Sequence, residues 1–313
     1  MVASFTSVVI PAFRSSATLK RAVNSCLNQT DPKNILVVID GPDDDALRVL
    51  AQTPPVRVVV LPERRGAAVC RNIGLGLADT KFVLFLDADD YLEGPLLPSA
   101  EAAAEAANAD LVFGRFSFEL PDGTRKYIQR YESHRDLDRA AIMKRWLLGH
   151  YTPPCAVLWR SSFVRDLGGW DEALAQNQDG DLIYRALLRY PALGSCADGQ
   201  GVYVQDENPG RITKQQNRNT LESQRVVLNK IRDRMAEQLF DPSPELSIAY
   251  YNLARLAYSR DENEIGRAAE QAARELGLKG QPGHLLHGVM ATFLGLRRKQ
   301  RVSRLVRRMV GLH

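Results

Sequence analysis

Four apolar runs open this chain, TSVVIP (6–11), NILVVID (34–40), VRVVVL (56–61) and KFVLFLD (81–87), with helical spacing between them. No other feature constrains the fold as much. Runs that are apolar at nearly every position, and not at every second one, belong to strands buried on both faces. Such strands, joined by helices, predict a mostly parallel sheet covered on either side, an α/β fold. The helices are legible as well. SSATLKRAVNSCLNQ (15–29) repeats Leu19, Val23, Cys26 and Leu27 behind a serine, DDDALRVLAQ (43–52) has an acidic first turn, and GAAVCRNIGLGLAD (66–79) opens on glycine.

Beyond residue 90 the order changes. An alanine-rich helix (95–108) precedes DLVFGRFSFEL (110–120), a PDG turn and TRKYIQRYE (124–132), which together predict an antiparallel hairpin. A helix over 136–149, a strand at PCAVLWR (154–160), a short helix from Ser161, a helix at 179–190 and a strand at 201–205 follow, then a polar loop over 206–219. From Thr220 the pattern is helical throughout, in segments 220–239, 244–259, 262–276 and 284–312.

The 313 residues carry a net charge of +4, unevenly placed: residues 284–313 hold seven Lys and Arg and no acid, which leaves the rest net acidic. That is an acidic body with a basic arm, and no nucleic-acid partner is expected. In the arm, Val302, Leu305, Val306, Met309 and Val310 form one apolar stripe flanked by arginines. It suits an anionic membrane surface, and equally well packing on the protein. The four cysteines are far apart with no CxxC pair, so they read as small buried residues in a reducing compartment. No signal peptide and no spanning apolar run is visible, so a cytoplasmic protein is expected.

FVLFLDADDYL (82–92) then poses a problem, because Asp87, Asp89 and Asp90 crowd the end of a buried strand. Like charges that close repel. In an open parallel sheet, ligands bind beyond the carboxyl ends of the strands. Pro11, Asp40 and Asp87 close strands at that one edge, so Asp40, Asp87 and Asp89 converge there. Helices 15–29 and 66–79 begin at the same edge, and helix starts attract anions. Carboxylates and helix starts on one rim fit a divalent cation, Mn²⁺ or Mg²⁺, bridging aspartates to phosphate oxygens. Taken singly the pieces are weak: DxD can be a solvated turn, Asp40 a turn residue and Arg71 a solvated helix position. GLG (74–76) lies inside a helix, so it is not a dinucleotide fingerprint.

The ordered set VVIPAF, VVIDG, RRGAAVCRNIGL, FLDADDYL and QDGDL resembles the family-2 glycosyltransferases of the GT-A fold, over roughly residues 4–215. The resemblance implies a catalytic domain over 1–218, with a nucleotide-sugar half to about 110 and an acceptor half over 111–218. A helical C-terminal region (219–313) follows. It further implies that Asp40 hydrogen-bonds the nucleotide base, that Pro11, Ala12 and Phe13 lie along the nucleoside, and that Arg71 and Ala88 belong to the nucleotide pocket. Asp89 becomes the direct metal ligand, with Asp87 nearer the ribose, and Asp179 the catalytic base. Trp170 is read either as part of the acceptor site or as a core anchor, and Asp181 as a further acceptor-side residue. Capping a helix is the competing role for Asp179.

The implied reaction is an inverting, metal-assisted transfer from a UDP-sugar to a saccharide or lipid-linked saccharide, in bacterial surface polysaccharide synthesis. The enzyme would be cytoplasmic, on the inner membrane face if the arm binds lipid. The chain departs from the family pattern at Gln178 (usually Glu), Arg14 (usually Asn), Ile39 (usually Asp) and Asn208 (often His). Two rivals remain: a phosphohydrolase using the DADD acids, and a catalytically silent nucleotide-sugar-binding protein.

Overall fold

The computed structural model describes residues 5–128, 131, 137–205, 217–237, 241–278, 282, 296–298 and 300. Two compact units are present. One holds 1–139, 151–173 and 181–208; the other holds 140–150, 174–180 and 209–313.

The first unit is built on one mixed sheet. Its strands β1 (Thr6–Ala12), β2 (Ile35–Ile39), β3 (Arg57–Val60) and β4 (Phe82–Phe85) are parallel, in the order β3-β2-β1-β4. All five positions of β2 are buried, as its unbroken apolar run requires. Strand β3 lies at the edge and alternates, leaving Val58 and Val60 exposed. Helices α1 (Ser16–Leu27), α2 (Asp44–Leu50) and α3 (Ala67–Leu77) make the connections. The predicted stripe of α1 is buried at Leu19, Val23 and Cys26. Asp43 caps α2 by accepting from the Ala46 N–H at 2.9 Å. Helix α3 rides so close to β1 that a Cβ on Gly74 would run into the Val9 side chain, so the GLG pair serves packing.

Beyond β4 come β5 (Tyr91–Glu93), α4 (Leu96–Ala106), β6 (Leu111–Glu119), β7 (Arg125–Ile128), α5 (Arg139–Leu147), β8 (Val157–Arg160), α6 (Ser161–Asp166), α7 (Gln178–Leu187) and β9 (Leu193–Val204). The sheet continues past β4 as β8-β6-β9-β5, with β7 hairpinned onto β6. Strand β8 runs antiparallel between β4 and β6, and this ends the parallel half. The PDG hairpin forms as read, with Gly123 at φ +79° in its turn. Two pieces escape sequence patterning. Strand β5 has three residues, too few to show a period, and is held by pairing with 200–202. The first half of β9 mixes small, apolar and polar residues with glycine and shows no alternation, yet it extends because it pairs with Leu111, Val112 and Phe113 of β6.

The second unit packs α8 (Arg218–Arg232), α9 (Ser243–Ser259) and α10 (Asn263–Glu275) together. Asn217 and Thr220 form a reciprocal capping box at the start of α8. Tyr250, Tyr251 and Tyr258 are buried, and Gly266 lets α10 close onto the Tyr258 ring. Segment 174–180 is tied to α8: the Ala175 N–H donates to Ser223 Oγ at 2.9 Å, and Gln224 Nε2 donates to Gln176 Oε1 at 3.1 Å. The basic stripe of 302–310 lies outside the described residues. Among the described residues, no helix is long and apolar enough to cross a membrane.

Candidate active site

The strand ends of the parallel half carry the acids, as their positions in sequence require. Asp40 follows β2 and is only 5% exposed. Its Oδ1 accepts from the backbone N–H of Arg65 (2.6 Å) and Gly66 (3.1 Å), and Oδ2 from Gly66 (3.0 Å). Asp40 therefore pins the loop that feeds α3, and Arg64 Nε stands 3.9 Å from Oδ2. Carboxylate lone pairs beyond those spent on the loop remain for a ligand. Asp40 lines a cleft of about 730 Å³ together with Phe13, Arg14, Arg48, Arg64 and the acids at 43–45. Phe13 is 39% exposed there, with the Arg64 and Arg14 guanidiniums 4.2 and 5.2 Å from its ring centroid. Pro11 is half-buried within β1, and Ala12 is buried.

One strand further along, Asp87, Asp89 and Asp90 offer carboxylate oxygens that all lie within 4.8 Å of one another. The repulsion is offset in three ways. Arg71, buried on α3, ion-pairs with Asp87 while its guanidinium lies 4.3 Å over the Trp170 ring. Asp90, fully buried, accepts the Val204 N–H at 2.9 Å. Arg21 donates to the Asp89 carbonyl at 2.8 Å. Ala88 turns its methyl into the core. Asp87 and Asp89 stay partly open, and three hard oxygen donors this close suit Mn²⁺ or Mg²⁺. Cys155 is the soft atom nearby, but burial, with Asp90 and Asp87 adding to it, pushes its thiol well up, so it stays neutral packing.

Both acceptor-side candidates lie in the core. Trp170 is 3% exposed, edge-on to Phe85 at 5.0 Å and 83°, so it anchors the core and offers no face to a sugar. Asp181 is 1% exposed and bound to Arg185 at 2.7 Å, one turn on. Arg185 in turn donates to the carbonyls of Leu167 and Gly169 (2.8 and 2.7 Å), so Asp181 braces a loop. Asp179 is the second residue of α7, partly exposed, one place inside the helix; its charge suits the first turn. Gln178 donates to the Leu174 carbonyl at 2.7 Å. Asn208 lies outside the described residues.

A charged network beside the acidic turn went unread in the sequence. Tyr91 OH donates to Glu119 Oε2 (2.6 Å), and Arg125 Nη1 reaches both oxygens of Glu93 (2.8 and 2.7 Å). Burial, then the bond to Glu119, pushes the Tyr91 phenol up to about 12. Burial alone would raise Glu93, but Arg125 and Gln200 outweigh it and hold the acid below its ordinary range. One signal was available: Glu119 and Arg125 are direct cross-strand partners on the predicted hairpin.

A parallel half with an acidic rim, continued by mixed strands, is the architecture of GT-A glycosyltransferases. The chain belongs to glycosyl transferase family 2, whose sequence pattern matches residues 7–166. It is 31% identical over 214 residues to the pre-mycofactocin glycosyltransferase of Mycobacterium tuberculosis, covering 64% of this chain and 44% of that one. It is 25% identical to glycosyltransferase AglE of Haloferax volcanii, covering 58% and 61%. The chain thus spans about half the length of these relatives. Residues 1–349 of S. aureus TarS, solved with UDP-GlcNAc, share the fold with a TM-score of 0.60 and 17% identity, over 86% of this chain and 91% of that one.

Proposed function

We propose that the chain is an inverting, metal-assisted glycosyltransferase. It takes a sugar from a UDP-sugar and passes it to a saccharide or lipid-linked saccharide in bacterial surface polysaccharide synthesis. The observation that carries this is the shared rim: Asp40 closes β2 and the Asp87–Asp89–Asp90 cluster closes β4, on either side of β1 in one parallel half. The TarS complex with UDP-GlcNAc supports a uridine donor. TarP of S. aureus, a poly(ribitol-phosphate) β-N-acetylglucosaminyltransferase 33% identical over 120 residues, supports a surface-polymer acceptor.

In this reading Asp40 receives the base, residues 11–13 lie along the nucleoside, and Arg71 steadies Asp87 beside the ribose and diphosphate. Asp89 and Asp87 would hold Mn²⁺ or Mg²⁺, which supplies positive charge against the departing diphosphate. Asp179 takes the proton of the acceptor hydroxyl as that oxygen bonds to the anomeric carbon. The bond from that carbon to the diphosphate oxygen breaks on the opposite face, through an oxocarbenium-like transition state, so configuration inverts. Gln178 leaves this base beside a neutral amide in place of a second acid. The basic arm at 297–312 would bring the enzyme to the anionic inner face of the cell membrane.

A phosphohydrolase of the haloacid dehalogenase type would carry DxD after its first strand; here it follows β4. Calorimetry with UDP, with and without Mn²⁺, followed by a nucleotide-sugar panel scored for turnover in Mn²⁺, tests the proposal. Mn²⁺-dependent UDP binding with turnover of one UDP-sugar is the expected result. Binding without any turnover would instead identify a silent binder, and indifference to uridine would point to a hydrolase.

A further inference from the structure

Arg21 sits on α1 with its side chain 41% exposed and takes no part in the cleft described above. Its guanidinium nevertheless makes three contacts around the acidic turn. Nη2 donates to the Asp89 carbonyl at 2.8 Å, Nη1 stands 3.7 Å from Glu119 Oε1, and the Tyr91 ring lies 4.5 Å beneath. Glu119 is the hub, since its other oxygen takes the Tyr91 hydroxyl at 2.6 Å and Arg125 Nη2 at 3.2 Å. Arg125 then chelates Glu93, which also accepts from Gln200 at 2.8 Å. Side chains two apart on a strand share a face, so Tyr91 and Glu93 are gripped together from one side. Asp90, between Asp89 and Tyr91, is gripped by the Val204 N–H. Residues 89–93 are thus fixed by α1, β6, β7 and β9 at once.

We infer that Arg21 is a positioning residue: its planar fork, braced by Glu119 and Tyr91, holds the 87–90 turn so that the Asp87 and Asp89 carboxylates face one divalent cation. This rests on the metal-assisted reading above. The sign of the effect separates positioning from simple charge. A cation at this turn is repelled by a nearby guanidinium, so charge alone predicts that removing Arg21 tightens metal binding. Loss of positioning predicts the reverse, because outer groups that orient metal ligands raise affinity about tenfold or more.

The test is Mn²⁺ titration of the full chain at saturating UDP, followed by electron paramagnetic resonance. Arg21→Ala and Arg21→Lys are compared with wild type, and UDP affinity is also measured in chelator. Arg21→Ala is expected to bind Mn²⁺ about tenfold more weakly. Arg21→Lys is expected to move the same way, because lysine keeps the charge but not the fork. UDP affinity in chelator should stay within about twofold of wild type. Lysine is a good helix former at this half-exposed site, so that variant tests the idea even if the alanine chain misfolds. Equal or tighter Mn²⁺ binding by the variants overturns the inference while leaving the metal reading intact. A wild-type chain that takes up no Mn²⁺ with UDP overturns both.

Discussion

Arg14 stands where the family usually has asparagine, and its backbone lies at φ +47°. The left-handed region crowds a Cβ against the following carbonyl, and asparagine tolerates it far better than a long side chain does. Such strain persists where surrounding structure over-determines it, commonly at a binding site. Arg14 lies just ahead of α1, lining the cleft beside Phe13. Arg14→Asn should therefore stabilise the chain by about 1 kcal/mol in urea unfolding, while removing a cation from the cleft. An unchanged or lower midpoint would show that the backbone there costs nothing. Asp40 carries the complementary lesson, for its side chain is an architectural anchor for residues 65 and 66 before it is anything else.

At the scale of elements, the start of α7 depends on α8. Ser223, 6% exposed, accepts the Ala175 N–H and donates to the Asn219 carbonyl at 2.9 Å. Ser223→Ala leaves that N–H without its partner and loosens the segment that leads into Asp179. If Asp179 is the base, kcat should fall about tenfold or more with UDP affinity unchanged, since displacing a reacting group costs rate before binding. A loss confined to UDP affinity would speak against that placement. The network on β5 and the β6–β7 hairpin makes a prediction in pH. Glu93 is held below its ordinary 4.5, so its contribution to stability is present above that value and is lost as pH falls through the lower folded value. Glu93→Gln should flatten that acid limb of the stability curve, read as thermal midpoints from pH 5 downward. An unchanged slope would mean that Arg125 and Gln200 do not hold this acid low.

For the whole molecule, the proposed membrane role of the basic arm is tested by liposome flotation. The full chain is expected to float with anionic vesicles more than a chain ending at Gly283, with the difference fading in high salt. Equal flotation would assign the arm to packing. The sequence alone determined the parallel half: continuous apolar runs joined by helices call for a covered parallel sheet, even though the edge strand β3 leaves Val58 and Val60 exposed, and that places Pro11, Asp40 and Asp87 along one edge whatever follows. It also determined the order of motifs by which the family is legible. It did not reveal β5 or the first half of β9, because those strands exist through pairing and carry no period of their own. Nor did it show that Trp170 and Asp181 are core braces, since an aromatic or an acid reads alike in a motif whether its neighbours bury it or leave it open. Only the tertiary structure decided that the crowded acids at 87–90 are tolerable. The groups that offset them, Arg21, Arg71 and the Val204 N–H, come from three separate elements, and a chain brings those together only by folding.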